Sequence, residues 1–243
     1  MNNKLCQMLG IDFPLLAFSH CRDVVAAVSR AGGFGVLGGS SFTPEELKME
    51  LDWIDAHVDG KPYGLDLAIP ENMSNKDAEN QTTQQLLAEI PPAHQTFLRN
   101  LLEKYGVNPD TPVAHWEEGA NPFFLDTAQK LVDEGLRHPI KLLVNALGLP
   151  PQFLMDQARA NGVPVGALVG SKDHAIRQVE AGVEVLVAQG TEAAAHCGEV
   201  STMVLTTEVS RAIKKMGSDV PVVAADGIVT GEQMAAAMMM GAS

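Results

Sequence analysis

Two glutamates and a histidine follow an apolar run in the last third of the chain. Glu192, His196 and Glu199 lie in a polar loop directly after residues 183–189. An imidazole can accept or donate a proton near neutral pH. A buried parallel strand that ends at such a loop is typical of the reaction centre of an α/β barrel. We therefore interpret residues 183–203 as an active-site strand and loop. The alternative is a short buried strand followed by an ordinary solvated loop.

The elements that must position this loop form a repeated strand and helix pattern. Continuously apolar runs alternate with amphipathic segments, which favours a parallel sheet covered by helices on both faces. The near-regular repeat predicts an α/β fold of the (β/α)8 TIM-barrel type, apparently lacking the last strand and helix. The predicted strands are residues 13–19, 34–38, 63–69, 140–146, 163–169, 183–189 and 220–225. The predicted helices of these units include residues 22–31, 125–136, 151–160, 172–181, 207–216 and 231–240.

A helix that begins after the second strand carries a clear start signal. Thr43 is the predicted N-cap, Pro44 occupies the first helical position, and Glu46 stands where a capping box needs an acidic side chain. The apolar face of this helix is expected to contain Leu47, Leu51, Ile54 and Val58.

The repeat is interrupted after the third strand by a polar segment. Residues 71–121 begin with a run of polar residues and continue with two predicted helices, at 84–90 and 92–105, and a connector rich in proline and glycine. We interpret this segment as a helical insertion within a single domain that covers residues 1–243. Its role is not apparent from its residues.

Composition and charge exclude several classes of function. The 30 acidic and 17 basic residues give a net charge of -13, which opposes binding to nucleic acid or to an anionic membrane surface. No apolar run is long enough to span a membrane. The three cysteines have no metal-type spacing and suit a reducing compartment, so we expect a cytoplasmic protein without a bound metal. A homo-oligomer stays an open alternative.

One glycine motif has the wrong context for a dinucleotide site. Gly33, Gly35 and Gly38 match the pattern G-x-G-x-x-G. In a dinucleotide fold this pattern leaves a strand and opens a helix, whereas here it leaves a predicted helix and enters a strand. We therefore assign these glycines to a helix stop and to close packing.

Four segments resemble the nitronate monooxygenase family, formerly called 2-nitropropane dioxygenases. They are AAVSRAGGFGVLGG at 26–39, YGLDLAIP at 63–70, AGVEVLVAQGTEAAAHCGEVSTMVL at 181–205 and VPVVAADGIVTGEQMAAAMMMGA at 220–242. The flavin-type enoyl-acyl carrier protein reductases share these motifs. The resemblance implies an FMN-containing (β/α)8 barrel whose flavin lies at the carboxyl ends of the strands.

The resemblance also implies roles for particular residues. His196 stands where the family has its active-site histidine, so it is the expected catalytic residue, as a base or as an anchor for an anion. Asp66 stands where many members have an asparagine that contacts the flavin ring, and no metal ligand is expected. The expected cofactor-binding residues are Ala17, Phe18, Asp66, Asn145, Gln189, Gly190, Ala225, Asp226 and Gly227. Asn145 is expected to point into the mouth of the barrel.

Three departures from the family pattern bear on cofactor binding. Residues 194–195 are Ala-Ala where the family usually has Gly-Gly, which removes conformational freedom beside the histidine. Asp226 replaces a glycine of the phosphate-binding turn and would bring a carboxylate towards a phosphate. The third departure is that residue 243 comes before the family's last strand. We expect weak FMN binding and unpaired sheet edges for these reasons.

The predicted function is FMN-dependent oxidation of alkyl nitronates by molecular oxygen. The expected partners are a nitronate or a similar small anion, and oxygen. One alternative is an FMN-dependent reductase of the enoyl type that uses NAD(P)H. Another is a truncated or degenerate barrel without flavin or activity. Nucleophilic catalysis by Cys197 beside His196 is a weaker alternative, because adjacent side chains tend to point apart.

Overall fold

Seven parallel strands and the helices that connect them form the fold. The computed structural model describes residues 3–71, 88–110, 125–194 and 196–243. The strands are β1 (Leu16–Ser19), β2 (Phe34–Gly38), β3 (Tyr63–Leu67), β4 (Leu143–Asn145), β5 (Val165–Val169), β6 (Val185–Gln189) and β7 (Val222–Ala225). The helices are α1 (Lys4–Leu9), α2 (Arg22–Arg30), α3 (Pro44–His57), α4 (Pro92–Lys104), α5 (Leu125–Gly135), α6 (Gln152–Ala160), α7 (Lys172–Glu180), α8 (Thr202–Lys215) and α9 (Gly231–Met239).

The strands follow one another in sequence order across a single sheet. Each pairs in parallel with the next strand along the chain, from β1 to β7. This confirms the predicted barrel with seven of its eight units. Within the described residues β1 and β7 are the two edges of the sheet, as expected. Val222 at the start of β7 is hydrogen-bonded to Ser243, whose N–H donates to the Val222 carbonyl at 2.8 Å.

Side chains of alternate residues divide between the barrel interior and the helix layer. One buried cluster fills the interior. It contains Phe34 and Val36 of β2, Leu142 just before β4, Val144 of β4 and Val185 of β6. The intervening residues, such as Leu37, Leu65, Leu143 and Leu186, pack in two other clusters against the outer helices. This alternation allows each strand residue to be assigned to the inner or the outer face.

Helix α1 closes the amino end of the barrel interior. Leu5, Cys6 and Leu9 are buried in the same cluster as the inward residues of the strands. The Asn3 side chain caps the helix by accepting a hydrogen bond from the Cys6 N–H at 2.8 Å. Gly10 ends it in the left-handed conformation, with φ 72°. Ligands consequently have no room at this end of the interior.

The predicted start of α3 is confirmed. Thr43 accepts a hydrogen bond from the Glu46 N–H, Glu46 accepts one from the Thr43 N–H, and Pro44 is the first helical residue. The four predicted apolar positions of this helix are all buried: Leu47, Leu51, Ile54 and Val58. These contacts anchor α3 against the outer face of the sheet.

Some predicted boundaries differ from the structure. Five strands, namely β1, β4, β5, β6 and β7, begin two or three residues later than predicted, and β3 and β4 end earlier than predicted. Helix α8 begins at Thr202, five residues before the predicted start at 207. The earlier start follows from Leu205, Val209 and Ile213, which are spaced by four residues and are all buried. Helix α9 is mostly exposed, and the side chain of Met239 is 88% accessible.

Part of the predicted insertion lies outside the described residues. The residues not described in this part of the chain are 72–87 and 111–124, and they include most of the predicted helix at 84–90. Helix α4 matches the second predicted helix, and none of its residues is buried. Among the described helices, none is long and apolar enough to cross a membrane.

Candidate active site

The carboxyl ends of the strands form an open mouth with a floor of small residues. The last inward-facing position at the carboxyl end of each strand, which for β4 and β5 is the residue just after the strand, is found by alternation from the interior cluster. These positions are Phe18, Gly38, Asp66, Ala146, Gly170, Gln189 and Ala225. Four of them are glycine or alanine, so they leave space above the core for a flat ligand. Asp66 and Gln189 are the polar side chains in the set.

Asp66 is an acidic side chain at the end of the apolar interior. It pairs in register with Gly38 of β2 and Val144 of β4. Its Oδ1 atom is buried and has no hydrogen-bond partner among the described residues. Burial raises the pKa of the Asp66 carboxyl to about 7, because the charged form loses its hydration. The residue as a whole retains some exposure, which places the carboxyl at the boundary between core and mouth.

The end of β1 supplies an aromatic wall. The Phe18 side chain is 56% exposed although it faces the interior. The His20 ring packs edge-on against it at 5.0 Å between centroids, and its Nδ1 lies 3.2 Å from the Gly38 carbonyl oxygen. Any side chain at Gly38 would collide with both rings. The absence of a side chain at Gly38 therefore allows Phe18 and His20 to reach the mouth.

Ala17 does not face the mouth as Phe18 does. It pairs with Gly35, where a side chain would collide with the backbone of Val25 in α2. Ala17 therefore points towards the helix layer. Contact between this residue and a ligand at the mouth would have to involve its backbone.

The loop between β6 and α8 carries His196 across the rim. His196 is exposed, as is the adjacent Cys197. Gly198 approaches the end of β5 so closely that a Cβ there would lie 3.1 Å from the Gly170 carbonyl oxygen. This contact fixes the loop over the strand ends near the histidine. Ala195, one of the two alanines expected to constrain the loop, lies outside the described residues.

Glu192 fastens the same loop to two other elements. Its Oε2 accepts a hydrogen bond from the Thr202 N–H at 2.9 Å, at the start of α8. This bond, together with the nearby Thr202 hydroxyl, lowers the pKa of the Glu192 carboxyl. The Thr202 hydroxyl also lies 3.1 Å from the Ala225 carbonyl oxygen. A side chain at Gly227 would meet Glu192 at 2.8 Å, so the glycine permits this packing.

Gly190 has a packing role that the sequence did not reveal. A Cβ at this position would lie 2.2 Å from the Thr202 hydroxyl oxygen and 2.3 Å from the Thr202 nitrogen. The glycine therefore lets α8 begin directly against the end of β6. Its role beside a cofactor stays a prediction.

The turn after β7 has the backbone of a glycine turn with an aspartate in it. Asp226 and Gly227 have φ angles of 75° and 73°. The left-handed region favours glycine, so the Asp226 backbone is held where its side chain is a disadvantage. Its Oδ2 is buried without a hydrogen-bond partner among the described residues. Both observations agree with a turn built for glycine.

A pocket of about 240 Å³ adjoins the floor at the ends of β4, β5 and β6. Gln189 lines it together with residues that the sequence did not indicate, namely Glu71, His174, Arg177 and Gln178. Arg177 binds Glu71 at 2.9 Å, and Gln178 donates to the Gly148 carbonyl at 2.8 Å. These contacts join positions 30 and 106 residues apart, so no local pattern announces them.

Asn145 is placed differently from the expectation. It is fully buried on the outer face of β4 and does not point into the mouth. Its Oδ1 accepts a hydrogen bond from the Ile69 N–H, and its Nδ2 donates to the carbonyls of Leu147 and Gly148. Both amide protons are used in shaping the loop after β4. The expectation of a side chain directed into the mouth was therefore wrong.

The structure thus brings most of the expected site residues to one end of the barrel. Those whose side chains or turns border the mouth are Phe18, Asp66, Gln189, Ala225, Asp226, Gly227 and the loop bearing His196. Among the described residues no group of three acidic, histidine or cysteine side chains is arranged to hold a metal ion.

Comparison with known proteins adds an independent line of evidence. Residues 4–243 match the family model described as nitronate monooxygenase. The chain is 44% identical over 244 residues to a Mycobacterium tuberculosis protein named as a monooxygenase, and covers 64% of that protein. It is 25% identical over 256 residues to a Staphylococcus haemolyticus protein named as a nitronate monooxygenase, and covers 65% of it. The chain therefore spans a little under two thirds of these relatives.

Two solved structures share the fold. FabK from Thermotoga maritima superposes with a TM-score of 0.69 at 25% identity, covering 100% of this chain and 60% of FabK. A nitroalkane oxidase from Streptomyces ansochromogenes superposes with a TM-score of 0.72 at 22% identity, covering 98% of this chain and 65% of the oxidase.

Proposed function

The chain belongs to the nitronate monooxygenase family, and on this premise we propose that it forms the catalytic barrel of an FMN-dependent oxidoreductase acting on alkyl nitronates with molecular oxygen. The observation that carries the proposal is the floor of small residues at the carboxyl ends of the strands, with the His196 loop above it. This is the end of an α/β barrel at which active sites are built. The relatives' names support the nitronate as substrate.

The mouth fits the ring system of a flavin. Gly38, Ala146, Gly170 and Ala225 leave room for a planar group, and the Phe18 ring supplies an apolar wall beside it. The buried Oδ1 of Asp66 is a polar atom without a partner among the described residues, as a ligand contact would require. The residues that would hold the ring are therefore Phe18, Asp66 and Gln189.

The phosphate would be held by the turn at Asp226 and Gly227. Backbone N–H groups of a glycine-type turn can bind a phosphate, and the left-handed conformations of both residues match such a turn. The Asp226 carboxylate opposes this role, because its charge repels a phosphate dianion. We expect the phosphate end of FMN to be bound more weakly than the ring end.

His196 would act on the substrate rather than on the cofactor. Its exposed position on a loop that contacts Gly170 lets its imidazole approach a small anion from the solvent side of the mouth. It would either remove a proton from a nitroalkane or hold the nitronate by a hydrogen bond. The flavin, when bound, supplies the electron transfer from substrate to oxygen.

The cytoplasm is the proposed compartment. Cys6, Cys21 and Cys197 are all free thiols in the structure, and two of them are exposed. Free exposed thiols suit a reducing compartment.

The test combines flavin content with turnover. The purified chain is titrated with FMN, and oxygen consumption is then measured with an alkyl nitronate. Flavin binding with oxygen uptake that requires nitronate would support the proposal. Flavin that is bleached rapidly by NAD(P)H without nitronate would instead favour the reductase alternative. A chain that binds no FMN at any concentration tested would show a barrel without the cofactor.

A further inference from the structure

Asp66 occupies a position that calls for a ligand. Its side chain faces inwards at the end of β3, next to Gly38 and Val144, which offer no hydrogen bond from a side chain. Its Oδ1 is buried and unpartnered among the described residues. A buried polar atom without a partner costs free energy, and such atoms in folded proteins usually mark a missing ligand, water or functional role.

Among the described residues, no cation is close enough to Asp66 to affect its pKa. On the inner side, the other polar side chain of the floor is Gln189, which is neutral, and the His20 ring lies against Gly38, the strand partner of Asp66. Helix α2, which also contacts β3, lies on the outer side. Its charged residues there include Arg22, which pairs with Glu50, and Arg30, which donates to the His57 carbonyl. Desolvation is accordingly the cause of the raised pKa of Asp66.

We propose that Asp66 works as a neutral carboxylic acid that donates a hydrogen bond to an acceptor atom of the flavin ring. This inference rests on the proposed function, since it names the ring as the ligand. A carboxyl group in an apolar site can be kept protonated at neutral pH so that it donates a hydrogen bond. A ring bound above it removes more water and favours the neutral form further.

The inference has a consequence for the pH dependence of binding. The protonated acid donates to the ring, whereas the carboxylate cannot donate and would repel the electron-rich acceptor atom. Only the fraction of the protein in which Asp66 is protonated can therefore bind the ring in this way. Above a pKa of about 7 that fraction falls, and the apparent dissociation constant rises towards ~10-fold per pH unit.

The test uses riboflavin, which has the ring but no phosphate. This choice removes both the titration of the phosphate near pH 6 and the influence of Asp226. Riboflavin is titrated into the whole chain between pH 5.5 and 8.5, with quenching of its fluorescence as the signal. The variants are Asp66→Asn, whose amide can still donate but does not titrate, and Asp226→Asn as the matched control.

We expect a dissociation constant that rises above pH 7 in the unmodified chain and in Asp226→Asn, and that stays flat in Asp66→Asn. A flat profile in the unmodified chain, or an unchanged slope in Asp66→Asn, overturns the inference and leaves the proposed function standing. If neither riboflavin nor FMN binds at any pH, the inference and the proposed function are both contradicted.

A second readout needs no ligand. The raised pKa means that the folded chain holds one more proton than the unfolded chain between the ordinary value of 3.8 and about 7. Stability contributed by this group therefore falls as pH rises through that window. The denaturation midpoint of Asp66→Asn should exceed that of the unmodified chain at pH 8 and approach it at pH 4. Equal midpoints at both pH values would show that Asp66 is ionised in the folded chain, which overturns the inference.

Discussion

The Glu192 carboxylate lies 2.9 Å from the Thr202 N–H and takes the place of an N-cap side chain for α8. Ser201, the residue at the N-cap position, makes no such bond with its own side chain. An acceptor from ten residues earlier therefore caps the helix, and the loop between them carries His196. The cap and the candidate catalytic loop are one structural unit.

Replacing Glu192 by alanine should lower the melting temperature at pH 7, because α8 loses its cap and an anion at its positive end. The pKa of Glu192 is lowered in the folded chain, so the stabilisation is present above its ordinary value of 4.5 and is lost as pH falls through the lower value. The difference in melting temperature between Glu192→Ala and the unmodified chain should thus shrink at acidic pH. Glu199→Ala, in the same exposed loop, is the control and should change little. A loss that is equal at pH 3 and pH 7 would argue against the charged cap.

Replacing Asp226 by glycine should strengthen FMN binding and stabilise the chain by ~0.5–1 kcal/mol, since glycine adopts a φ of 75° without strain. The same change removes a charge that repels phosphate and a buried oxygen that has no partner in the described part of the chain. Asp59, which also has a positive φ of 53° but lies far along the chain on the surface, provides the control. Asp59→Gly should affect stability without affecting the FMN dissociation constant. Equal dissociation constants for Asp226→Gly and the unmodified chain would mean that the carboxylate points away from the phosphate.

Replacing His196 by alanine should reduce nitronate turnover ~10²-fold or more while the flavin content stays unchanged. The flavin content should stay unchanged because the histidine is exposed on the loop above the floor, outside the residues that would hold the flavin. His94→Ala on the exposed helix α4 is the matched control. Undiminished turnover in His196→Ala would remove this residue from the mechanism.

Replacing Gly190 by alanine should destabilise the chain by ~1–3 kcal/mol or more, because the new methyl group would collide with the first residue of α8. Gly231→Ala is a fair comparison: nothing lies within 4 Å of a Cβ there, and its φ is not positive. Denaturant titration of the two variants measures the difference. If both glycines tolerate alanine equally, the contact between Gly190 and Thr202 is looser than the structure shows.

Supplying an eighth strand and helix of the family type should raise the melting temperature and the FMN affinity together. The added strand would pair with β1 and β7, which are the edges of the sheet in the described structure, and its turn would complete the phosphate site. Sedimentation should also show that the chain as given associates more readily than the extended protein. A monomeric chain that is as thermostable and binds FMN as tightly as the extended protein would contradict this expectation.

The sequence predicted the features that depend on neighbouring residues. The capping box of Thr43 and Glu46, the apolar face of α3 and the presence of seven strand and helix units all follow from local patterns, and all are confirmed. The start of α8 was predicted too late because the polar residues before it were assigned to the loop. The apolar spacing of four residues from Leu205 to Ile213 was nevertheless present in the sequence. The partners of Glu71, Glu192 and Asn145 could not be predicted, because each contact depends on where distant strand ends meet.

Asn145 also has a bearing on how the barrel assembles. Every strand pairs with its neighbour in sequence, so most of the sheet can grow from short loops, but β3 and β4 are separated by the long insertion. The Asn145 side chain spans this gap by accepting the Ile69 N–H across 76 residues. Closing a loop of that length costs only about 0.7–1.4 kcal/mol more than closing one of the other connections, yet the search it imposes slows the step. The pairing of β3 with β4 is therefore the expected rate-limiting step of folding. The hydrogen bond between the Asn145 side chain and the Ile69 N–H can form only after these strands have paired.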